Sequence, residues 1–317
     1  MNPFAAQLPH TLLETHFEGL GPKYRGKVRD VYDRGDTLVI ITTDRVSAFD
    51  HVLGTIPFKG QILNALAQAA FTATADLGPN HVLSVPDPNV VVAKKCRAFP
   101  VEMVVRAYLT GSLYRDYQAG TASAYGVPLP SGMKKDQPFP APILTPTTKA
   151  AVGTHDQPIS EVQILSQGLM TEAQLQAAKK LAFALFARGQ QRAQAHGLIL
   201  VDTKYELGLA PDDTLTVIDE IHTPDSSRYW VAAHYAERFA QGQAQEMLDK
   251  ENLRGWLIDR HGFSGHGTPP ALDDEIRVTL AERYAELHQR LLGQAFLPVV
   301  GDVEARIRGN LERAGLL

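Results

Sequence analysis

The amino-acid sequence predicts a mixed fold that contains both β-hairpins and amphipathic helices. A polar β-hairpin is expected over residues 197–228, because two extended segments flank a turn rich in proline and aspartate. A helix is expected over residues 171–196, where a capping box at Thr171 and Gln174 precedes apolar residues at helical spacing. The chain has 317 residues, of which 44% are hydrophobic, so it can bury a substantial core as one large domain or two lobes.

Composition and charge limit the classes of partner that the protein can bind and indicate its cellular compartment. The net charge is -4, which gives no overall positive field for a polyanion, so we expect neither nucleic acid nor a membrane as partner. Cys96 is the only cysteine, which excludes an internal disulfide and fits a reducing cytoplasm. The N-terminal segment has no secretory pattern, and no apolar run approaches the length of a membrane span. A cytoplasmic globular protein is therefore expected.

The acidic hairpin has its charges on one face. Side chains alternate along a strand, so Asp202, Lys204 and Glu206 point the same way. A tight turn would place Glu206 opposite Asp219, where two negative charges destabilise the hairpin unless a cation lies between them. Carboxylates without histidine or thiolate suit Mg²⁺, which fills its other positions with water and substrate phosphates. The alternative is a bulge at Gly208 that shifts the register and leaves the acids as solvated surface residues.

A basic segment near the N-terminus is a second candidate site. Residues 21–32 are predicted to be extended and to form a hairpin with the apolar strand at 38–42. Lys27 and Arg29 would then project from one face next to Gly26, where the bare backbone lets a phosphate approach closely. The segment suits a triphosphate, although it matches neither the Walker pattern nor the dinucleotide fingerprint. The alternative is a solvated edge strand protected by its positive charges.

A third candidate site lies at the end of the strand predicted for residues 101–110. Glu102 and Arg106 share a face of this strand, which runs into Gly111 and Ser112 before a predicted helix. Backbone N–H groups at the helix start, the Ser112 hydroxyl and the Arg106 guanidinium together suit a phosphate monoester. The alternatives are that Ser112 is only the helix N-cap and that Arg106 pairs with Glu102.

The remaining segments are predicted mainly as scaffold. Residues 120–142, rich in proline and glycine, are expected to form a long surface excursion. Residues 144–160 are rich in hydroxyl groups and include Lys149, His155 and Asp156; for the last two, a local structural pair is favoured over a catalytic base. Further helices are predicted at 61–74, 113–118, 229–241, 273–292 and 303–314.

Six motifs in a fixed order give the sequence a family resemblance. They are GKVRDVY, SAFD, VEMVVRAYLTGSL, LTPTTKA, DTKYELG and IDEIHTPDSSRYW. Together they resemble the phosphoribosylaminoimidazole-succinocarboxamide synthases, also called SAICAR synthetases, of purine biosynthesis. The resemblance extends from about Leu12 to Leu311, which is nearly the whole chain.

The resemblance implies an α+β fold in two lobes. It implies an antiparallel nucleotide-binding lobe that resembles kinases, over residues 1–115, and a larger α+β lobe that ends in helices, over residues 116–317. In this family ATP lies between the lobes. The long proline-rich excursion and the C-terminal helices are similar to those of the longer members, which tend to be monomers.

The resemblance also implies a reaction and a set of site residues. Members join carboxyaminoimidazole ribonucleotide to L-aspartate with ATP and Mg²⁺, and they release ADP and phosphate. By resemblance, Lys204, Glu206 and Asp219 are catalytic, and the last two bind magnesium. The implied ligand-binding residues are Gly26, Lys27, Arg29 and Glu102 for ATP, and Arg106, Ser112, Asp202 and Arg228 for the ribonucleotide.

Two other functions fit parts of the same pattern. One is a small-molecule kinase that uses the same nucleotide site and stops after phosphoryl transfer. The other is a catalytically silent nucleotide-binding protein, against which the two carboxylates and the second phosphate pocket argue. One departure from the family pattern falls at Gln157 and Pro158, where many members have an acidic residue after His-Asp. A substrate role for that segment is therefore not assigned.

Overall fold

The computed structural model describes residues 2–49, 51–149 and 156–317, with only the backbone at Glu251. It divides into two compact units, each assembled from separated segments. The first comprises Met1–Ala69, His81–Lys95 and Leu248–Leu317, and the second Ala70–Asn80 and Cys96–Met247. The lobe boundary predicted near residue 115 differs from this division, since the strand at 97–109 lies in the second unit with its partner strands. The functional lobes at 1–115 and 116–317 stay a prediction.

Within the described residues, runs of strands are separated by helices, and the last four elements are helices. The strands are β1 (Lys23–Arg25), β2 (Arg29–Asp33), β3 (Thr37–Thr42), β4 (Arg45–Ala48), β5 (His51–Thr55), β6 (Val82–Asp87), β7 (Val90–Lys94), β8 (Arg97–Leu109), β9 (Gln137–Leu144), β10 (Thr147–Thr148), β11 (Leu198–Leu209), β12 (Leu215–Ile218) and β13 (Ser227–Val231). The helices are α1 (Pro3–Gln7), α2 (Lys59–Ala73), α3 (Gly111–Gln118), α4 (Glu161–Ser166), α5 (Glu172–Ala195), α6 (Ala232–Ala240), α7 (Glu251–His261), α8 (Asp274–Leu292) and α9 (Val303–Arg313). No helix in these ranges is long and apolar enough to cross a membrane.

The first unit contains an antiparallel sheet with the strand order β1-β2-β3-β7-β6. The basic segment expected to be one extended strand is instead a short hairpin, in which Lys23 pairs with Tyr32 and Arg25 with Asp30. The chain reverses at residues 26–28, closed by a 2.8 Å hydrogen bond from the Gly26 amide to the Arg29 carbonyl. The prediction that Lys27 and Arg29 share a strand face was therefore wrong.

The core of the first unit depends on both ends of the chain. Apolar side chains of β2, β3 and β7 pack against α9 and against residues that precede β1. This cluster consists of Leu12, Phe17, Leu20, Tyr32, Val39, Ile41, Val90, Val303, Ile307 and Leu311. A second cluster joins the β4-β5 hairpin to α7 and α8. Helix α9, predicted from its apolar spacing, is thus a structural part of the first sheet's core.

The second unit is built on an antiparallel sheet ordered β10-β8-β11-β12, with β13 also paired to β11 and β9 to β8. Part of the excursion predicted at 120–142 is therefore strand β9. Its prolines are tolerated because β9 pairs only with β8 and so lies at an edge of the sheet.

Helix predictions in the second unit were correct where capping and periodicity agreed. Helix α5 has the predicted capping box, with Thr171 and Gln174 bonded to each other's backbone N–H groups. The helix predicted at 229–241 was wrong over its first residues, which form β13 and pair with β11 before α6 begins at Ala232. Tyr229, Trp230 and Val231 favour a strand because aromatic and β-branched side chains pack well on a half-buried sheet.

Candidate active site

The polar face predicted for β11 is present and is continued by β8. In the antiparallel register, Asp202 lies opposite Arg106, and Glu206 lies opposite Glu102. Lys204 lies between them in the same alternation. Asp202, Arg106, Glu102 and Glu206 are all buried, so this face is an interior polar surface and not a solvated edge.

Lys204 is the centre of a cluster of carboxylates. Its Nζ donates a short hydrogen bond to Glu206 Oε1 and lies 3.4 Å from both Glu102 Oε1 and Asp219 Oδ2. The other carboxylate oxygen of Glu206 accepts a short hydrogen bond from Lys149. Two lysines therefore bind the two oxygens of Glu206, and one of them also contacts two further acids.

The hairpin register differs by one residue from the prediction. Glu206 pairs with Ile218, not with Asp219. The connection is longer than the predicted tight turn: Ala210 N donates to Thr214 O at 3.0 Å, and Asp213 has a left-handed φ of 60°. Asp219 follows the last residue of β12 and has a φ of 64°, yet its carboxylate still meets Lys204.

The predicted alternative, a bulge at Gly208 with solvated acids, is only partly correct. An irregularity does occur between Glu206 and Gly208, but in the pairing of β11 with β8 and not with β12. The register is shifted by one residue, while Glu206 is 8% exposed. The acid is therefore buried and paired with lysine.

Electrostatics in the cluster favour the charged form of Lys204. Burial opposes the positive charge of Lys204, but Glu206, Glu102 and Asp219 outweigh it and raise the pKa of Lys204 well above its ordinary value. Burial raises the pKa of Glu102, an effect that Lys204 opposes. Negative charge that develops on a bound group close to Lys204 would therefore be stabilised.

The donors of this cluster suit Mg²⁺ only together with ligands from outside the protein. Among residues 2–49, 51–149 and 156–317, no three Asp, Glu, His or Cys side chains are grouped to hold a metal ion. Mg²⁺ commonly takes one or two protein carboxylates and completes its shell with water and phosphate oxygens. Glu206 and Asp219 provide two hard oxygen ligands that already share one positive partner, the Lys204 amine. The donor set therefore fits the predicted ion.

A second cluster, around Arg106, has the chemistry of an anion pocket. Arg106 donates from Nε to Thr145 Oγ1 at 2.8 Å, from Nη1 to Asp202 Oδ2 at 3.0 Å and from Nη2 to Ser112 Oγ at 3.2 Å. Arg228 Nη1 donates to the same Asp202 oxygen at 2.5 Å. Two guanidinium groups on one carboxylate leave a net positive charge, which suits an anion.

Both structural alternatives for this strand end are contradicted. Arg106 pairs with Asp202 and not with Glu102, which bonds instead to Thr147. The N-cap of α3 is Thr110, whose side chain makes no capping bond, so Ser112 lies in the first turn with its hydroxyl on Arg106. Burial lowers the pKa of Arg106, and Asp202 opposes this. The helix start, the hydroxyl and the two arginines are therefore gathered in one place.

Gly111 is required where α3 begins. Its φ is 59°, and a Cβ there would lie 2.4 Å from Arg228 Nη2. We expect Gly111→Ala to displace Arg228 and to raise the KM for a phosphate-bearing substrate about fivefold to a hundredfold, through strain and lost contact of about 1 to 3 kcal/mol. Steady-state kinetics would measure this.

Gly120→Ala is the matched control for the Gly111 variant. Gly120 has a similar φ of 73°, but nothing lies within 4 Å of the added Cβ. This variant should cost stability without changing the KM. An equal change of KM in both variants would show that backbone strain, and not Arg228, is responsible.

Sequence reasoning missed a buried pair behind the site. Tyr205, on the opposite face of β11 from Lys204, bonds through its hydroxyl to His222 Nε2 at 2.8 Å, and the Tyr229 hydroxyl donates to the His222 carbonyl at 2.9 Å. Burial lowers the pKa of His222 to about 3, so it is neutral. The pair fixes the segment that carries Asp219 and Arg228. Alternation placed Tyr205 on this face, but its partner is distant in sequence.

The glycine turn, residues 26–28, belongs to the first unit. Gly26 and Lys27 lie in the turn between β1 and β2, and Arg29 is the first residue of β2. Their assignment to ATP stays a prediction. His155 and Asp50, the last residue of the SAFD motif, lie outside the described residues.

Comparison with known sequences identifies relatives over almost the whole chain. The family model described as SAICAR synthetase matches residues 22–267. The phosphoribosylaminoimidazole-succinocarboxamide synthase of Legionella pneumophila (strain Paris) is 45% identical over 312 residues, covering 96% of this chain and 99% of the relative. The chloroplastic synthase of Arabidopsis thaliana is 47% identical over 313 residues, covering 97% of this chain and 76% of the relative.

Comparison with solved structures gives the same fold. The SAICAR synthase of Saccharomyces cerevisiae, complexed with SAICAR, has a TM-score of 0.79 and 30% identity, and the match covers 90% of this chain and 99% of that one. A type-2 SAICAR synthetase in complex with ADP has a TM-score of 0.67 and 23% identity, over 87% of this chain and all of that one. At the lower identity the likeness concerns the fold alone. The predicted α+β fold and the family resemblance are confirmed.

Proposed function

Because the chain belongs to the SAICAR synthetase family, amide-forming ligases of purine biosynthesis, we propose that it joins carboxyaminoimidazole ribonucleotide to L-aspartate with ATP. The products are SAICAR, ADP and phosphate. One observation carries the proposal: the anion pocket and the lysine-carboxylate cluster share one face of β11 within a single unit, through Asp202, Lys204 and Glu206. One substrate can thus be held by its phosphate while its reacting group lies further along the strand.

The ribonucleotide phosphate is assigned to the Arg106 pocket. Arg106, Arg228 and Ser112 would donate to phosphate oxygens, and Asp202 would hold the two guanidinium groups in place. Hydrogen bonds that involve charged groups are worth about 1.5 to 3 kcal/mol each, enough to anchor the substrate. A phosphate at the start of α3 also gains from the exposed N–H groups of a helix N-terminus.

The reacting groups are assigned to the lysine-carboxylate cluster. Lys204 would neutralise charge that develops as the substrate carboxylate and the γ-phosphate of ATP approach each other. Glu206 and Asp219 would hold Mg²⁺, which neutralises phosphate charge when bound. Gly26, Lys27 and Arg29 are assigned to the ATP phosphates and Glu102 to ATP, on the basis of the family resemblance.

The chemistry requires activation of a poor acyl donor. Transfer of the γ-phosphoryl group to the ribonucleotide carboxylate gives an acyl phosphate and ADP. The amine of L-aspartate then attacks the acyl carbon, the C–O bond to phosphate breaks, and the amine loses a proton. Such transfer depends chiefly on positioning and charge neutralisation, so no nucleophilic serine or cysteine is needed. We also propose that the protein is a cytoplasmic monomer, like the longer family members that it resembles.

An oxygen-18 experiment tests the activation step. When the substrate carboxylate is phosphorylated, one of its own oxygens must leave with the phosphate. With oxygen-18 in that carboxylate, together with ATP, Mg²⁺ and L-aspartate, we expect label in the released phosphate and stoichiometric amide. Mass spectrometry of phosphate and product would measure both.

The same experiment separates the competing functions. A small-molecule kinase would make ADP and a phosphorylated product without aspartate, and a silent binding protein would make neither. Unlabelled phosphate beside genuine amide would contradict the acyl phosphate. If the label appeared in AMP, activation by adenylation would replace the proposed route, and the roles of Lys204 and Glu206 at the γ-phosphate would be abandoned.

A further inference from the structure

Arg45, the first residue of β4, is a fully buried cation that no proposed role uses. Its side chain is 0% exposed and pairs with Asp30, which is also 0% exposed, at 2.8 Å. It donates further hydrogen bonds to three backbone carbonyls. The acceptors are Leu13 O at 2.5 Å, Gly26 O at 3.1 Å and Lys27 O at 3.1 Å.

Two of these carbonyls belong to the glycine turn, and a third turn carbonyl is bound by a neighbouring residue. Val28 O accepts from the Thr43 amide at 3.0 Å and from Thr43 Oγ1 at 2.8 Å. Three successive carbonyls of the turn, at residues 26, 27 and 28, are therefore drawn towards the β3-β4 connection. The planar guanidinium of Arg45 presents its donors in a fixed fork, which reaches two of these carbonyls and the Asp30 carboxylate at once.

The geometry of the trans peptide then determines where the N–H groups of the turn point. In a trans peptide the C=O of one residue and the N–H of the next point in opposite directions, and no peptide bond in the described chain is cis. With the carbonyls of Gly26 and Lys27 directed at Arg45, the N–H groups of Lys27 and Val28 point away from it. Successive N–H groups that point the same way favour an anion on that side.

The Asp30 carboxylate accepts hydrogen bonds on both of its oxygens. Its Oδ1 accepts from Arg45, and its Oδ2 accepts from the amide of Thr15 at 2.7 Å and from Thr15 Oγ1 at 3.0 Å. Both oxygens of the carboxylate thus have partners that hold it in place. A buried ion pair is weak evidence for stability alone, since a well-packed apolar replacement is often as stable. The directed bonds to the turn suggest a function besides stability.

We propose that Arg45 is a positioning residue for the nucleotide: it holds the glycine turn by its carbonyls, so that the N–H groups of Lys27 and Val28 face the triphosphate of ATP. The proposal rests on the proposed function, in which Gly26 and Lys27 bind the ATP phosphates. Arg45 itself does not touch the nucleotide.

Arg45→Lys tests the proposal, because lysine keeps the charge but loses the planar fork. We expect the KM for ATP and the dissociation constant of a non-hydrolysable ATP analogue to rise about tenfold to a hundredfold. The kcat at saturating ATP and the KM for the ribonucleotide should change less than about threefold, because the turn lies in the other unit from the Arg106 pocket. Kinetics and calorimetry would measure these constants.

Arg306→Lys is the matched control for stability. Arg306, in the same unit, also fixes buried polar groups through its guanidinium, with bonds to Asp87 and Asn89. Arg306→Lys should lower the midpoint of thermal unfolding without changing the KM for ATP. If Arg45→Lys behaved in the same way, or raised the KM of both substrates equally, Arg45 would be merely structural and the proposal would be overturned.

Lys27→Ala separates a failure of the inference from a failure of the proposed function. If Lys27→Ala weakens ATP binding while Arg45→Lys does not, the positioning role is overturned and the nucleotide assignment stands. If neither variant weakens ATP binding, the assignment of the turn fails and the inference with it. Should Arg45→Lys not fold, Thr43→Val, which removes the hydroxyl bond to Val28 O, should raise the KM for ATP severalfold; an unchanged KM would overturn the proposal.

Discussion

Glu206→Gln is expected to lower kcat by about a thousandfold, because it removes negative charge where the reacting phosphate and its ion are held. Glu206 binds Lys204 through one oxygen and Lys149 through the other, so the amide also leaves a lysine facing an N–H₂ group. Asp219→Asn should give a similar loss with a smaller change of structure, since Asp219 is only partly buried. Turnover at saturating substrates and varied Mg²⁺ would measure both effects.

Glu161→Gln is the matched control for these carboxylate variants. Glu161 is in the same unit and pairs with Lys179 at 2.6 Å, outside the site. Its neutralisation should leave kcat unchanged, and circular dichroism should show that all three variants fold. Near-normal turnover of Glu206→Gln or Asp219→Asn at limiting Mg²⁺ would contradict the metal assignment.

Arg106→Ala is expected to have the largest effect on ribonucleotide binding. The variant loses bonds to Thr145, Asp202 and Ser112, and it leaves the buried carboxylate of Asp202 paired with Arg228 without the second guanidinium. Each charge-assisted bond is worth about 1.5 to 3 kcal/mol, so the dissociation constant should rise more than a hundredfold. Arg228→Ala and Ser112→Ala should follow in decreasing order, and ATP affinity should hardly change.

Arg188→Ala controls for loss of a structural arginine in the same unit. Arg188 holds Asp76 through two bonds, at 3.0 and 2.9 Å, and neither residue belongs to the Arg106 pocket or to the lysine-carboxylate cluster. Arg188→Ala should alter stability and leave the affinities for ATP and for the ribonucleotide unchanged. Calorimetry with each ligand decides the matter: equal weakening of ATP and ribonucleotide by Arg106→Ala would mean that the two phosphate sites have been misassigned.

The feature of the site that could best be predicted from the sequence was which side chains share one face of a strand. The order Asp202, Lys204, Glu206 required these side chains to share a face, and the pairing of β11 with β8 confirms it. The same rule placed Glu102 and Arg106 on one face of β8. Strand periodicity depends only on local backbone geometry, so no knowledge of distant partners is needed.

Pairing between strands was less predictable, because it depends on the connection. The predicted opposition of Glu206 and Asp219 failed by one residue, since the left-handed Asp213 lengthens the turn. The two acids still meet at Lys204 because the left-handed Asp219 redirects its own side chain. Neither conformation is marked by glycine, which would have been the usual local signal.

Partners distant in sequence were not predictable from local pattern at all. Lys149 reaches Glu206 across 57 positions, and Arg106 reaches Asp202 across 96. The sequence left Glu102 open as an alternative partner of Arg106, because the two share one face of a strand. In the fold, the neighbouring strand places Asp202 directly opposite Arg106, with a carboxylate oxygen 3.0 Å from Nη1 of the guanidinium.

The separated segments of the two units have a consequence for synthesis on the ribosome. All residues of the second unit precede Leu248, whereas the first unit needs Leu248–Leu317 as well as its N-terminal segments. The apolar side chains of β2 and β3 cannot meet Val303, Ile307 and Leu311 of α9 until these have been translated. At roughly 5 to 20 residues per second this last segment takes several seconds. The N-terminal segments of the first unit are therefore translated before most of the second unit, but their core closes only after it, and in that interval the apolar side chains of β2 and β3 lack their partners in α9.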